Sequence, residues 1–228
     1  MELVSNFKLS PSDFGFLWTE CKRCFHLKVA KGFPRPDTGF PKIFNVIDKQ
    51  MKDRFAGKRA EEMAPGVPAG TVYKSDEWVE SVPITRPGRA ATAFIRGIFD
   101  TVLKLDDGGY AIIDFKTSTV DYRAAAKYAR QLHAYAIALE RPATGRLGLS
   151  PVSTLGLLVY EPTAFATGGA GTAKLEGKFE WLVVERDDEA FFGFLDEMLG
   201  VLELAEPPAA NPECALCRYR EASRRTGW

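Results

Sequence analysis

Apolar side chains return every three or four positions at Phe44, Ile47, Met51 and Phe55, which predicts an amphipathic helix over residues 42–55 that Gly57 ends. Residues 12–30 predict an earlier helix, followed by a linker carrying Gly32, Pro34, Pro36, Gly39 and Pro41. Residues 65–87 read as loop with one strand near 78–84 and no evident chemistry. Residues 93–105 and 110–117, rich in Ile, Phe, Val and Thr, predict two strands joined across Asp106-Asp107-Gly108-Gly109. Downstream, the expected elements are a helix over 122–140 stopped by Pro142, a buried strand over 154–160 and a mobile Gly/Ala/Thr loop over 163–172. A strand over 179–185, a helix over 188–204 and a Pro-rich turn into the last cysteines complete the chain. Two strands, a helix, then a further strand and helix predict an α/β domain with a mixed sheet.

The 228 residues are 46% hydrophobic, enough for a substantial core in one domain. Apolar runs fall far short of a membrane span, and residues 1–10 lack a secretion signal, so the expected setting is the cytoplasm with no membrane partner. The net charge is zero, yet it is unevenly placed: residues 1–60 hold 12 Lys/Arg against 6 Asp/Glu, and residues 61–210 hold 14 against 22. Basic ends around an acidic middle suit a phosphate backbone bound beside metal ions, and they also describe ordinary solvated helix faces.

The acidic middle contains Tyr110-Ala-Ile-Ile-Asp114-Phe-Lys116, where strand alternation puts Asp114 and Lys116 on one face with Ile112. A charged pair there must be solvated, paired or metal-bound. Asp100 on the preceding strand joins it only if the loop has odd length. Asp106-Asp107-Gly108 as a three-residue loop sets Asp100 opposite Asp114, within the ~5 Å reach of cross-strand side chains, and glycine suits the left-handed third position. Two carboxylates and a lysine without histidine suit Mg2+ or Mn2+ and phosphodiester hydrolysis, with Lys116 positioning water or offsetting charge. A plain strand-end ion pair is the competing explanation. Gln131 and Tyr135, four apart on the next helix, share a face that can hold phosphate or water.

Taken in order, Gly97-Ile-Phe-Asp100, Ile113-Asp-Phe-Lys-Thr-Ser118 and Gln131-Leu-His-Ala-Tyr135 resemble the motif set of the RecB-like branch of the PD-(D/E)XK nuclease superfamily. Ser10-Pro-Ser12 leading to Cys21 is similar to the N-terminal signature of its iron-sulfur members. The resemblance implies a restriction-endonuclease-like mixed sheet flanked by helices and an exonuclease-type enzyme acting on DNA. It implies metal binding by Asp100 and Asp114, catalysis by Lys116, and completion of the site by Gln131 and Tyr135. The branch's helical histidine ligand falls at Asp48, which can equally pair as an exposed residue with Lys52 one turn on.

All four cysteines lie in two C-x2-C pairs, Cys21/Cys24 and Cys214/Cys217, a tetrathiolate pattern open to zinc or iron-sulfur. The resemblance implies a 4Fe-4S cluster, although its usual one-early, three-late arrangement is absent and Ser223 stands near the last position. The pairs would clasp residues 1–40 and 205–228 into an annex of a single domain around a 41–204 core, gathering Lys22, Arg23, Arg218 and Arg220. An inactive nucleic-acid-binding or assembly subunit, and a protein whose cysteine site is the functional centre, are the other readings.

Overall fold

The computed structural model describes residues 5–37, 39 and 41–227, so the first four residues of the expected annex lie outside it. Its centre is a six-stranded mixed sheet. The strands are β1 (Asn6–Leu9), β2 (Gly70–Glu80), β3 (Thr92–Leu105), β4 (Tyr110–Thr117), β5 (Val152–Thr167) and β6 (Ala173–Val184). β3 pairs with β1 in parallel and with β2 and β4 antiparallel, β4 and β5 run parallel, and β5 and β6 form an antiparallel hairpin.

Helices cover both sides. α4 (Lys42–Phe55) seals one cluster in which Met51 and Phe55 meet Leu103, Ile113, Phe115 and Leu158. α5 (Ala124–Glu140) and α6 (Asp188–Leu202) contribute Leu132, Ala136, Leu139, Leu195 and Leu199 to the larger cluster with Val102, Ile112, Leu155 and Leu157. Each fully buried leucine, isoleucine or phenylalanine stabilises the fold by about 1.5–3 kcal/mol. Three short helices, α1 (Pro11–Gly15), α2 (Leu17–Glu20) and α3 (Lys22–Ala30), wrap the N-terminal segment against α5 and α6, and α7 (Ala215–Arg225) closes the chain.

The expected 12–30 helix is thus broken twice, at Phe16, which ends α1 and caps α2 with φ −111° and ψ −73°, and at Cys21, which turns extended to cap α3. At the first break, α1 lies against the α5 backbone, and a Cβ on Gly15 would stand 2.4 Å from the Lys127 carbonyl. The loop expected over 65–87 contains an eleven-residue strand, β2. Its Lys74-Ser75-Asp76-Glu77 run hides the alternation because one face is open to solvent. The mobile loop expected over 163–172 is instead mostly hairpin: β5 and β6 stay paired out to Thr167 and Ala173. α7 and β1 are additional to the predicted elements.

Candidate active site and cysteine centre

The β3–β4 hairpin sets the acidic centre. Leu105 N–H bonds the Gly109 carbonyl at 2.9 Å, Gly108 N–H bonds the Leu105 carbonyl at 3.1 Å, and Gly108 adopts φ +92°. The turn is therefore Asp106-Asp107-Gly108, with glycine at the one left-handed position. Thr101 pairs with Ile113 and Val102 with Ile112, and one step further along this register Asp100 faces Asp114. Asp100 Oδ2 accepts the Phe115 N–H at 2.9 Å, which ties its carboxylate to β4.

Asp114 is 3% exposed. Its Oδ1 accepts a hydrogen bond from Gln131 Nε2 at 3.1 Å, and its Oδ2 forms an ion pair with Lys116 Nζ. Burial raises the Asp114 pKa, the Lys116 charge opposes the rise and the Asp100 charge adds to it, leaving it at about 7. Burial works against the Lys116 ammonium too, but Asp114 more than compensates and its pKa ends above the usual lysine value. Lys116 therefore remains a cation at neutral pH.

Asp48 pairs with Lys52 one turn on, Oδ2 to Nζ at 2.8 Å, but Asp48 is half-buried rather than exposed, and Lys52 is buried. The same ammonium contacts Asp76 Oδ1 at 2.7 Å and Asp100 Oδ1 at 3.0 Å. Burial disfavours it, but the Asp100 charge and the three hydrogen bonds lift its pKa above the lysine range. Burial also raises the Asp48 pKa, with Lys52 opposing. Tyr135 turns its hydroxyl to the Ile98 carbonyl at 2.6 Å, behind Asp100 on β3, rather than to either carboxylate. Gly97 permits this approach, since a Cβ there would lie 3.2 Å from the Tyr135 ring and 2.8 Å from Pro11. A cavity of about 440 Å3 opens beside the centre, lined by Asp48, Lys116, Phe16, Phe44, Phe115 and Tyr128.

The cysteines converge from the two ends of the described chain. Sulfur separations are 3.8 Å for Cys21–Cys217, 3.8 Å for Cys24–Cys214 and 3.6 Å for Cys24–Cys217, and all four sulfurs lie within 4.8 Å of one another. The C-x2-C spacing has a helical cause: Cys21 caps α3 and Cys214 caps α7, which puts Cys24 and Cys217 at the third helical position of each. Both pairs thus sit at helix N-termini, where partial positive charge favours thiolates. Arg35 Nη2 adds a donor 3.3 Å from Cys214 Sγ. Among the described residues these cysteines form the one group of three or more side chains at metal-ligand spacing. Asp48, Asp100 and Asp114 are not drawn together to that degree, and Lys52 stands between the first two.

The sequence matches the family model described as the PD-(D/E)XK nuclease superfamily over residues 40–222. The chain belongs to this superfamily. Its members are nucleases that use divalent metal ions, so nucleic acid is the substrate class and phosphodiester hydrolysis the reaction class that membership suggests. Among solved structures, the crystal structure of SSO0001 is similar in fold, with a TM-score of 0.51 at 13% identity over 94% of this chain and 84% of that one. No curated protein matches the sequence.

For a superfamily member, two participants at the acidic centre carried no sequence signal of their own. Asp76 lies within a polar run, and Lys52 is identifiable only as an i+4 partner of Asp48. Gly97 opens the motif that ends at Asp100, and its contact with α1 and α5 gives the physical reason for a glycine there. The two histidines are structural. His133 takes the Asp187 N–H on Nε2 and contacts the Ala129 carbonyl through Nδ1, while buried His26 contacts the Leu204 carbonyl. No described helix is long and apolar enough to cross a membrane.

Proposed function

We propose that this superfamily member is a divalent-metal-dependent DNA nuclease of the RecB-like branch and of exonuclease type, cutting at Asp100, Asp114 and Lys116. The observation that carries the proposal is the Asp114 carboxylate, buried to 3% exposure yet anchored by Gln131 on one oxygen and Lys116 on the other. A lone strand-end ion pair would not need a carboxamide from another element to aim it. The donor set fits a hard cation, because Asp48, Asp100 and Asp114 offer only carboxylate oxygens.

Mg2+ or Mn2+ held there would supply Lewis-acid polarisation of the phosphoryl oxygen. The protein's own residues do the rest. Lys116 carries a fixed positive charge at the mouth of the cavity, where it orients an attacking water or offsets charge on the phosphate. Gln131 holds Asp114 in one orientation, and Tyr135 braces β3 at Ile98, two residues before Asp100. The aromatic walls contributed by Phe16, Phe44 and Tyr128 give bases a surface on which to lie.

The cysteine centre serves as a structural clasp that makes one domain of the 41–204 core and its annex, and brings Lys22, Arg23, Arg218 and Arg220 towards a DNA path. Four thiolates bound at ~2.3 Å to one tetrahedral ion lie about 3.8 Å apart, the spacing of the closest sulfur pairs here. A four-iron cluster places a separate iron at each thiolate and needs the sulfurs wider apart. The spacing therefore favours zinc over the iron-sulfur cluster that the sequence resemblance implied.

Cleavage of labelled single- and double-stranded DNA with Mg2+, Mn2+ or chelator tests the reading. Metal-dependent shortening from an end, lost in Asp114→Asn, is expected, and undiminished cutting by a pure Asp114→Asn preparation would overturn it.

A further inference from the structure

Lys52 has no role in the hydrolysis above, yet its ammonium occupies the most anionic point of the site. It is 7% exposed and touches Asp48, Asp76 and Asp100 at 2.8, 2.7 and 3.0 Å. We propose that Lys52 is a resident counter-cation that competes with the divalent ion for Asp48 and Asp100, with Asp76 as the partner that draws it aside when the ion binds. The proposal rests on the assignment of Asp48 and Asp100 as metal ligands made above.

Three carboxylates gathered in a partly desolvated place repel one another, and without metal the protein must supply the compensating charge. Lys52 does so from α4, while Asp100 keeps its second oxygen on the Phe115 N–H. That amide contact is compatible with a metal ion, because a carboxylate oxygen has a second lone pair. The ammonium contact is not, since two cations would then share one oxygen at short range. A metal ion on Asp100 Oδ1 and Asp48 Oδ2 thus displaces Lys52 from both carboxylates.

Asp76 gives it somewhere to go. Ser75 pairs with Thr101 and Glu77 with Phe99, so Asp76 stands across from Asp100 on the neighbouring strand. Its side chain is 60% exposed, facing the solvent edge of the cluster, and its backbone holds φ +55°, unusual for a residue with a Cβ. A lysine stem can stay packed while its head group shifts from Asp100 towards Asp76. The site then keeps a balanced charge both with and without metal, and Lys52 sets how much metal is needed to fill it. Lys52 is a positioning residue in this scheme and touches no reacting atom.

Mn2+ binding by the full chain, followed by calorimetry, tests the exchange independently of cleavage. Lys52→Met removes the competitor, and Mn2+ should bind about tenfold more tightly. Asp76→Asn removes the alternative partner, and Mn2+ should bind several-fold more weakly. If Asp76 acts through Lys52, its effect disappears in the Lys52→Met background. Unchanged or weaker binding in Lys52→Met overturns the proposal, as does an Asp76→Asn effect of equal size in both backgrounds. Should Lys52→Met fail to fold, Asp76→Asn decides alone, and unchanged or tighter binding there sinks the idea. Asp114→Asn separates the two levels. If it abolishes Mn2+ binding while Lys52→Met changes nothing, only the role of Lys52 falls. If Mn2+ binds identically in wild type and all four variants, the metal site itself falls with it.

Discussion

Gln131 on α5 donates to Asp114 on β4 across a helix–sheet interface in which both residues are less than one-tenth exposed. The carboxamide selects one orientation of a carboxylate whose pKa burial raises to about 7. Gln131→Leu keeps the volume and leaves one buried oxygen without a donor. Metal-dependent cleavage should fall by about 10–100-fold, the usual loss when a group orienting a metal ligand is removed. Unfolding free energy should change by no more than ~1–3 kcal/mol. Single-turnover cleavage and urea denaturation measure the two effects, and wild-type rates would remove Gln131 from the site.

Gly97 makes a second test possible at a distance from the carboxylates. An added Cβ meets Pro11 at 2.8 Å and the Tyr135 ring at 3.2 Å, so Gly97→Ala forces α1 or Tyr135 away from β3. The cost in stability should be about 1–3 kcal/mol, as for other overpacked sites. Tyr135→Phe keeps the ring and loses the hydroxyl with its bond to the Ile98 carbonyl. It should be the milder change in thermal denaturation, and the reverse order would contradict the packing account.

Glu140 ties α5 to the strand entering β5 and gives stability a defined pH dependence. Burial raises its pKa, but the paired bonds from Arg186 and the Val152 N–H outweigh burial and hold it below the ordinary glutamate value. A carboxylate depressed in the folded state contributes above its unfolded pKa of ~4.3 and loses that contribution as pH falls through the lower folded value. Glu140→Gln should therefore unfold about 1–3 kcal/mol more easily than wild type at pH 7. The gap should close below pH ~4. Urea titrations at several pH values check this, and a constant gap would show that the carboxylate charge is not responsible.

Cys21→Ser and Cys217→Ser each remove one of four converging sulfurs, one from each end of the described chain. Either should lower the thermal midpoint strongly, because metal binding at a site absent from the unfolded chain contributes directly to folding. Metal analysis of purified wild type should give one zinc per chain and no visible absorption. A brown protein containing iron and sulfide would replace the single-ion reading with a cluster.

The sequence was most informative where local rules and tertiary demands coincide. Asp106-Asp107-Gly108 has one turn type to satisfy, and that turn alone fixes the parity that sets Asp100 across from Asp114. The α4 boundaries follow from an apolar stripe ended by Gly57 at φ +66°. Legibility failed where a partner distant in sequence decides. β2 forms because β3 offers it an edge, although its own residues are mostly polar, and the N-terminal helix breaks where α5 and the cysteine centre impose other geometry. Lys52 looked like one half of a surface pair because nothing local reveals that Asp76 and Asp100 arrive beside it.

The cysteine clasp also has a consequence for biosynthesis. Cys24 and Cys214 are separated by 190 positions, so the first pair of thiols leaves the ribosome long before its partners exist. The β3–β4 hairpin and α5 can form in that interval from contacts close in sequence, whereas convergence of the four thiols must wait for α7. Emergence of α7 from the ribosome, rather than collapse of the sheet, is then the event that brings the four thiols together, and a nascent chain halted before Cys214 should be folded at its centre and open at its margin.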